Sequence, residues 1–162
     1  MRRSFIAAAS LCVLSLQAGP ALAEVEGELT SRTRSYLHTW STNTRAALAD
    51  VPHIYAPRVS FYGRILDHAS LVREKAQFAR RWPLRRYSLR PNTVRVRCDE
   101  QARLCLLRGV IDWRAESPAR RARSGGSATF VQGFELTASR PLIIREGGAV
   151  LPQRRMPPGP KV

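Results

Sequence analysis

The sequence predicts an α+β domain in which N-terminal helices pack against a strongly curved antiparallel sheet. Two segments, residues 29–51 and 68–82, carry apolar side chains at the spacing of amphipathic helices. Two strands joined by a polar turn are expected within residues 86–113, and two more strand-like segments follow at 128–136 and 141–146. Helical segments followed by a run of sequential strands are the pattern of an α+β fold.

The N-terminal 23 residues have the features of a secretory signal peptide. Arg2 and Arg3 precede an apolar run, residues 5–16, that is too short to span a bilayer as a permanent helix. An A-x-A cleavage motif ends at Ala23. We therefore expect cleavage after Ala23 and a periplasmic or secreted mature protein. The arginine pair also resembles a twin-arginine export signal, so the general secretory and the twin-arginine routes are both open.

The mature chain is expected to form one domain, residues 24–152, followed by a disordered, proline-rich and basic tail, residues 153–162. Loss of Arg2 and Arg3 lowers the net charge from +15 to +13. Outside the cytoplasm, such a charge attracts anionic head groups and cell-wall polymers without specifying one; the alternative is a solvated basic surface. Nucleic acid is not an expected partner, because the compartment is wrong and no nucleic-acid-binding motif is present. No segment after the leader is apolar over the length of a membrane span.

The elements before the hairpin are predicted from the spacing of apolar residues and from the positions of prolines and capping residues. Residues 24–28 are acidic and predict a linker, and residues 29–51 predict a helix. Pro52 either ends this helix or opens a second short helix at 53–56. A strand is expected at 58–62. Asp67 is predicted to be the N-cap of the 68–82 helix.

The hairpin contains both cysteines that remain after leader removal. Val94, Val96 and Cys98 alternate with arginines, which is typical of a half-buried strand, whereas the nearly all-apolar run 104–113 suits a strand covered on both faces. Cys105 would lie opposite Cys98 near the turn, so we expect a disulfide between them; the alternative is two buried free thiols.

Beyond the hairpin, residues 116–126 predict a basic loop ending in glycine, and residues 149–151 are expected to extend the sheet after the last strand.

Several runs resemble those of small exported bacterial NTF2-like (SnoaL-like) domains. The matching runs are Tyr55–Gly63 (YAPRVSFYG), Lys75–Pro83 (KAQFARRWP), Arg86-Tyr87, the cysteine hairpin, Asp112-Trp113, Ser117-Pro118-Ala119 and Gly126-Ser127-Ala128. The resemblance covers residues 36–151 and implies a cone, in which the bent sheet wraps around the helices and leaves a cavity at its mouth. This fold hosts isomerases, dehydratases, hydrolases and many pure binding modules, so the resemblance implies no single reaction and no catalytic residue set.

Asp112 is the best candidate for a general base. It lies mid-strand among apolar residues, and burial raises the pKa of a carboxylate toward neutrality. The alternative is a structural carboxylate that pairs with an arginine, such as Arg108 or Arg114, or faces water. Asp67 is interpreted as a helix cap rather than a base.

No metal or cofactor is expected. The three histidines, His38, His53 and His68, lack the spacing of a zinc-hydrolase motif, and neither a nucleophile elbow nor a glycine-rich phosphate loop is present.

A ligand pocket is predicted from aromatic residues expected to point inward. They are Tyr36, Trp40, Tyr55, Phe61, Tyr62 and Trp113. The alternative is that these side chains fill the core.

We therefore expect a non-enzymatic exported module that binds a small molecule, an anionic envelope component or a protein partner in its cone. The alternative is a SnoaL-like lyase or isomerase that uses Asp112 on a small apolar substrate. A third hypothesis is a homodimer joined through the open face of the sheet.

Overall fold

Four α-helices and seven strands make up the part of the chain described by the computed structural model, residues 20–99 and 101–152. The elements are α1 (Pro20–Thr42), α2 (Thr44–Ala49), α3 (Val51–Ile54), β1 (Tyr55–Phe61), β2 (Arg64–Asp67), α4 (His68–Arg81), β3 (Leu84–Leu89), β4 (Arg95–Asp99), β5 (Leu104–Ser117), β6 (Ala122–Leu136) and β7 (Pro141–Gly147). The leader up to residue 19 and the predicted tail, 153–162, lie outside the described residues.

Helix α1 begins earlier than the sequence suggests. It starts at Pro20 and runs through residues 24–28, so the prediction of an acidic linker there is wrong. Val25 packs against the core and Leu29 is fully buried, which anchors this first part of the helix. The expected 29–51 helix is broken at Asn43, whose side chain accepts a hydrogen bond from the backbone N–H of Ala46 and caps α2. Among the described residues, no helix is long and apolar enough to cross a membrane.

The strands form one sheet in the order β2-β1-β7-β6-β5, and β3 and β4 both pair with the far edge of β5. These pairings are antiparallel, as predicted, except that of β1 with β7, which is parallel. The parallel pair arises because the last strand returns between β1 and β6.

Strands β5 and β6 pair without interruption from Leu104↔Glu135 to Ser117↔Ala122. The predicted basic loop at 116–126 is therefore wrong: only a 3₁₀ turn at Pro118–Arg120 and Arg121, at φ 48°, separate the two strands. The expectation that β5 is covered on both faces is also wrong. One face of β5 is buried and the other carries exposed residues, because the helices cover only the concave side of the sheet.

Cys98 and Cys105 lie directly opposite each other in the β4–β5 hairpin, with their Cα atoms 4.0 Å apart, and a disulfide joins them. The main core lies between the helices and the concave face of the sheet. Its largest fully buried members include Tyr55, Leu29, Leu71 and Leu107. Asp67 caps α4 as predicted, accepting the Ser70 N–H at 2.7 Å.

Candidate functional site

A cavity of about 440 Å³ lies between the helices and the concave face of the sheet. Its wall is largely aromatic and includes Tyr36, Trp40, Phe61, Trp82, Trp113 and Phe130. This volume and this lining are typical of sites for small molecules, which are mostly apolar with a few convergent polar groups.

The cavity wall includes a buried ion pair. Lys75 on α4 and Glu146 on β7 both line the cavity and are each 4% exposed. Lys75 Nζ lies 3.6 Å from Glu146 Oε1. Burying two charges is costly unless they are paired and further hydrogen-bonded, so the surroundings of this pair are informative.

Two tyrosines, an amide and a hydroxyl complete the network. Tyr36 Oη donates to Glu146 Oε1 at 2.9 Å and accepts a hydrogen bond from Lys75 Nζ at 2.7 Å. Tyr55 Oη donates to Glu146 Oε2 at 2.5 Å and lies 3.1 Å from Tyr36 Oη. Behind the carboxylate, Gln132 Nε2 donates to Oε2 at 3.4 Å and its own carbonyl accepts from Thr33. Three side chains, Tyr36, Tyr55 and Gln132, therefore donate hydrogen bonds to the buried Glu146 carboxylate.

The Lys75 ammonium is enclosed by four aromatic rings. Its Nζ lies 4.9 Å from the ring centroids of Trp40 and Phe61, and 5.2 and 5.5 Å from those of Tyr36 and Tyr55. These distances are in the range of cation–π attraction. Burial lowers the pKa of Lys75, against the opposing effect of Glu146, and burial together with the Glu146 charge raises the pKa of Tyr36 and of Tyr55 well above the usual value. Both phenols thus stay neutral hydrogen-bond donors.

The mouth of the cavity carries a strained aromatic residue. Tyr62 sits in the β1–β2 turn at φ 47°, beside Gly63 at φ 84°, and its side chain is 55% exposed. A bulky residue at positive φ is disfavoured, and such strain clusters at ligand-binding positions. The Arg64–Glu74 ion pair, at 3.3 Å, flanks the same opening.

Five of the six aromatic residues predicted for the pocket line the cavity: Tyr36, Trp40, Phe61, Tyr62 and Trp113. The sixth, Tyr55, is 1% exposed and lies beneath the floor, where it holds Glu146.

Asp112 does not lie in the cavity, so the hypothesis that it is a general base there is wrong. On β5 it alternates with inward-facing Ile111 and Trp113 and points to the outer face, where Arg90 binds it through Nε at 3.1 Å and through Nη2. These hydrogen bonds, with a further one from Ser127, lower the pKa of Asp112. The carboxylate pairs with an arginine, as the structural alternative held, although the partner is Arg90 rather than Arg108 or Arg114.

Residues that the sequence interpretation missed are Lys75 and Glu146. A signal for Lys75 was available, because Leu71, Lys75 and Ala79 recur every four residues along the buried stripe of α4, and lysine is rare in this arginine-rich chain. Glu146 gave no comparable signal, since its inward orientation depends on the β-bulge between β6 and β7. Within residues 20–99 and 101–152, no cluster of three or more histidine, cysteine, aspartate or glutamate side chains is arranged to hold a metal ion.

No protein-family model matches this chain, and no curated protein matches its sequence. Solved structures do match. An NTF2-like superfamily protein from Salmonella enterica aligns with a TM-score of 0.68 at 10% identity, covering 85% of this chain and 99% of that one. An uncharacterised cystatin-like-fold protein from Caulobacter vibrioides gives 0.64 at 14% identity, covering 80% and 91%. A proposed dehydratase of the NTF2-like family from Streptomyces avermitilis gives 0.61 at 12% identity, covering 80% and 97%. The chain therefore has the NTF2-like fold, with helices packed in a curved sheet around an aromatic cavity.

Proposed function

We propose that this chain is an exported module whose cone binds a small, mainly apolar molecule that carries a hydrogen-bond acceptor at its inner end. The observation that carries the proposal is the Lys75 ammonium, buried yet lining an aromatic cavity of about 440 Å³. Export is supported by the leader and its A-x-A motif.

The chemistry of the inner end follows from the contacts of Lys75. An ammonium has three N–H groups; Tyr36 accepts one at 2.7 Å, and Glu146 Oε1, at 3.6 Å, is an ion-pair partner of the ammonium that lies in the direction of a second. The third is available to a carbonyl or carboxylate oxygen of a ligand. A cationic ligand is disfavoured, because the ring faces of Trp40 and Phe61 are already occupied by the ammonium.

Matched ligand pairs test this reading. Phenylacetate and hexanoate are expected to raise the melting temperature of the protein, whereas phenethylamine and hexylamine, which place an ammonium at the same end, leave it unchanged. The Lys75→Met variant is expected to lose the carboxylate effect. Arg64→Gln, which removes a cation at the mouth and leaves the floor intact, is the control and should retain most of it.

Lys75→Met could lose binding because it destabilises the fold, so a second variant that leaves the ion pair intact is needed. Ser124→Trp, on an exposed part of the cavity wall, is expected to block the ligand while the unliganded protein keeps its stability. Equal responses to carboxylates and amines, or full binding by both Lys75→Met and Ser124→Trp, would contradict the proposal.

A second candidate function is proton transfer, as in a lyase or isomerase acting on a small apolar substrate. It is favoured by the chain of hydrogen bonds from Lys75 through Tyr36 to Glu146, which reaches the cavity and contains an amine whose pKa burial lowers. The test is hydrogen–deuterium exchange, followed by NMR, at the carbon next to the carbonyl of a bound ketone. Catalysed exchange that Lys75→Met abolishes and Asp112→Asn leaves intact would support catalysis; exchange at the uncatalysed rate would leave binding alone.

A further inference from the structure

We infer a second binding surface, on the outer face of the sheet, that takes a linear acidic polysaccharide. Alternation along β3, β4, β5 and β7 assigns six exposed arginines to this face, opposite the cavity. They are Arg86, Arg95, Arg97, Arg108, Arg114 and Arg145. Among residues 20–99 and 101–152, none of the six makes an ion pair with a carboxylate.

The arrangement places like charges against each other. Arg86 lies directly opposite Arg114 in the β3–β5 pairing, and Arg95 lies opposite Arg108 in the β4–β5 pairing. Directly opposed like charges destabilise a sheet. A bound anion reverses this cost, since it attracts both members of each pair.

Carboxylates already present on this face do not neutralise the arginines. Asp112 is bound by Arg90, and Glu116 lies 3.5 Å from Arg123. Asp99, at one end of the groove described below, accepts the backbone N–H of Ala102 in the hairpin turn. Glu135 lies on the same face opposite Leu104, and among residues 20–99 and 101–152 it makes no ion pair with an arginine. The positive charge of the face is therefore directed outward.

The face also contains a groove. Arg97 pairs with Leu106, Leu106 with Gly133, and Gly133 with Arg145, so these residues form one row across β4, β5, β6 and β7. The two arginines line an open groove of about 380 Å³ whose floor includes Leu106, Gly133 and Ile144. Gly133 keeps this floor low, because a Cβ there would lie 3.2 Å from the Arg145 Cβ.

The dimensions indicate a polymer rather than a single anion. Three strand spacings separate Arg97 from Arg145, about 14 Å between their backbones, and Arg108 and Arg114 are about 20 Å apart along β5. The guanidinium groups suit carboxylates or phosphates that repeat along a chain.

Other occupants fit less well. The aromatic residues of β3, β5 and β6, which are Tyr87, Trp113, Phe130 and Phe134, all alternate toward the concave side, so this face has no aromatic anchor for a bilayer and no stacking platform for single-stranded bases. A face-to-face homodimer brings the arginines of two copies together, which like-charge repulsion opposes.

The experiment measures binding of the full mature chain to polygalacturonate, a linear uronate polymer, with neutral dextran as the blank. Wild-type protein is expected to bind polygalacturonate and not dextran, with an affinity that falls steeply between about 50 and 200 mM salt. The Arg97→Gln/Arg145→Gln variant is expected to bind at least about fivefold more weakly, and its log–log salt slope should be smaller by about 1.5. Its matched control, Arg80→Gln/Arg81→Gln, removes the same charge from the exposed end of α4 and should stay within about twofold of wild type.

Four results would overturn the inference. An equal loss of polygalacturonate affinity in the Arg97→Gln/Arg145→Gln and Arg80→Gln/Arg81→Gln variants would show that binding depends on net charge alone. Binding of anionic vesicles but not of the polymer would assign the face to membranes. Tighter binding of duplex DNA with the same dependence on Arg97 and Arg145 would assign it to nucleic acid. A dimer in sedimentation that Arg97→Gln/Arg145→Gln dissociates would make the face a contact between copies. Because these arginines lie away from the cavity, the result is independent of ligand binding in the cone.

Discussion

Replacement of Lys75 by methionine is the sharpest perturbation of this molecule. The change keeps most of the side-chain volume among the four rings but leaves Glu146 as a buried carboxylate without a cation. Removing one partner of a buried ion pair costs about 3–5 kcal/mol. Tyr36, Tyr55 and Gln132 still donate to the carboxylate, so we expect a loss at the lower end, about 3 kcal/mol.

The assay is urea denaturation at neutral pH with the disulfide intact, on wild type, Lys75→Met, Glu146→Gln and the double variant. The free energies of unfolding form a double-mutant cycle, and we expect a coupling energy of about 2 kcal/mol because the double variant buries no charge. The slope with denaturant should not change. Arg90→Met breaks the half-exposed pair with Asp112 and is the control; it is expected to cost much less.

A loss below about 1 kcal/mol for Lys75→Met would refute this reasoning, as would strictly additive single changes. Either result would mean that the two charges do not depend on each other and that solvent reaches the floor of the cavity.

Three further predictions concern stability. Burial raises the pKa of Tyr36, Tyr55 and Tyr87, so these phenols lose their protons more readily in the unfolded chain than in the folded one. Stability should therefore fall as pH rises above about 10, and tyrosinate absorbance should appear together with the loss of circular dichroism. Lys75 has the opposite effect on the pH dependence. Because its pKa is lowered in the folded protein, it adds stability as pH rises toward the pKa of a lysine in the unfolded chain. Lys75→Met should therefore make the loss of stability at alkaline pH steeper. Gly148→Ala should lower the free energy of unfolding by about 2–3 kcal/mol, because its Cβ would lie 2.0 Å from the backbone oxygen of Thr129 in β6. Gly147→Ala, whose Cβ would have no atom within 4 Å, is the control and should not show this loss in the same urea assay. Removing the disulfide by Cys98→Ala/Cys105→Ala should lower the free energy of unfolding by about 2.5 kcal/mol, because the unfolded chain regains the entropy of the open loop. Reduced wild type should then have the same stability as this variant.

Much of the architecture was predictable because local patterns coincide with tertiary burial. Val94, Val96 and Cys98 alternate with arginines in the sequence, and all three pack against the core. Asp67 directly precedes a helical segment and caps it. The β6 strand was underestimated at its start because polar and glycine residues from 122 to 127 resemble a loop, although their backbone pairs fully with β5.

The candidate site was predicted only in its apolar part. Aromatic residues that are expected to point inward indicate a pocket, and five of the six predicted side chains lie on its wall. The polar floor joins α4 to β7, 71 residues later in the chain, and only the folded topology brings Lys75 and Glu146 together. Asp112 was chosen for its apolar neighbours in sequence, but on a strand such neighbours point to the opposite face.

The parallel pairing of β1 with β7 places the first strand against the last. In the folded chain, β1 and β2 join the rest of the sheet through β7, residues 141–147, and the same strand carries Glu146 to its partners. A chain truncated before Pro141 thus lacks both the strand that unites the sheet and the counter-charge for Lys75. The final strand therefore both unites the two parts of the sheet and supplies the buried carboxylate.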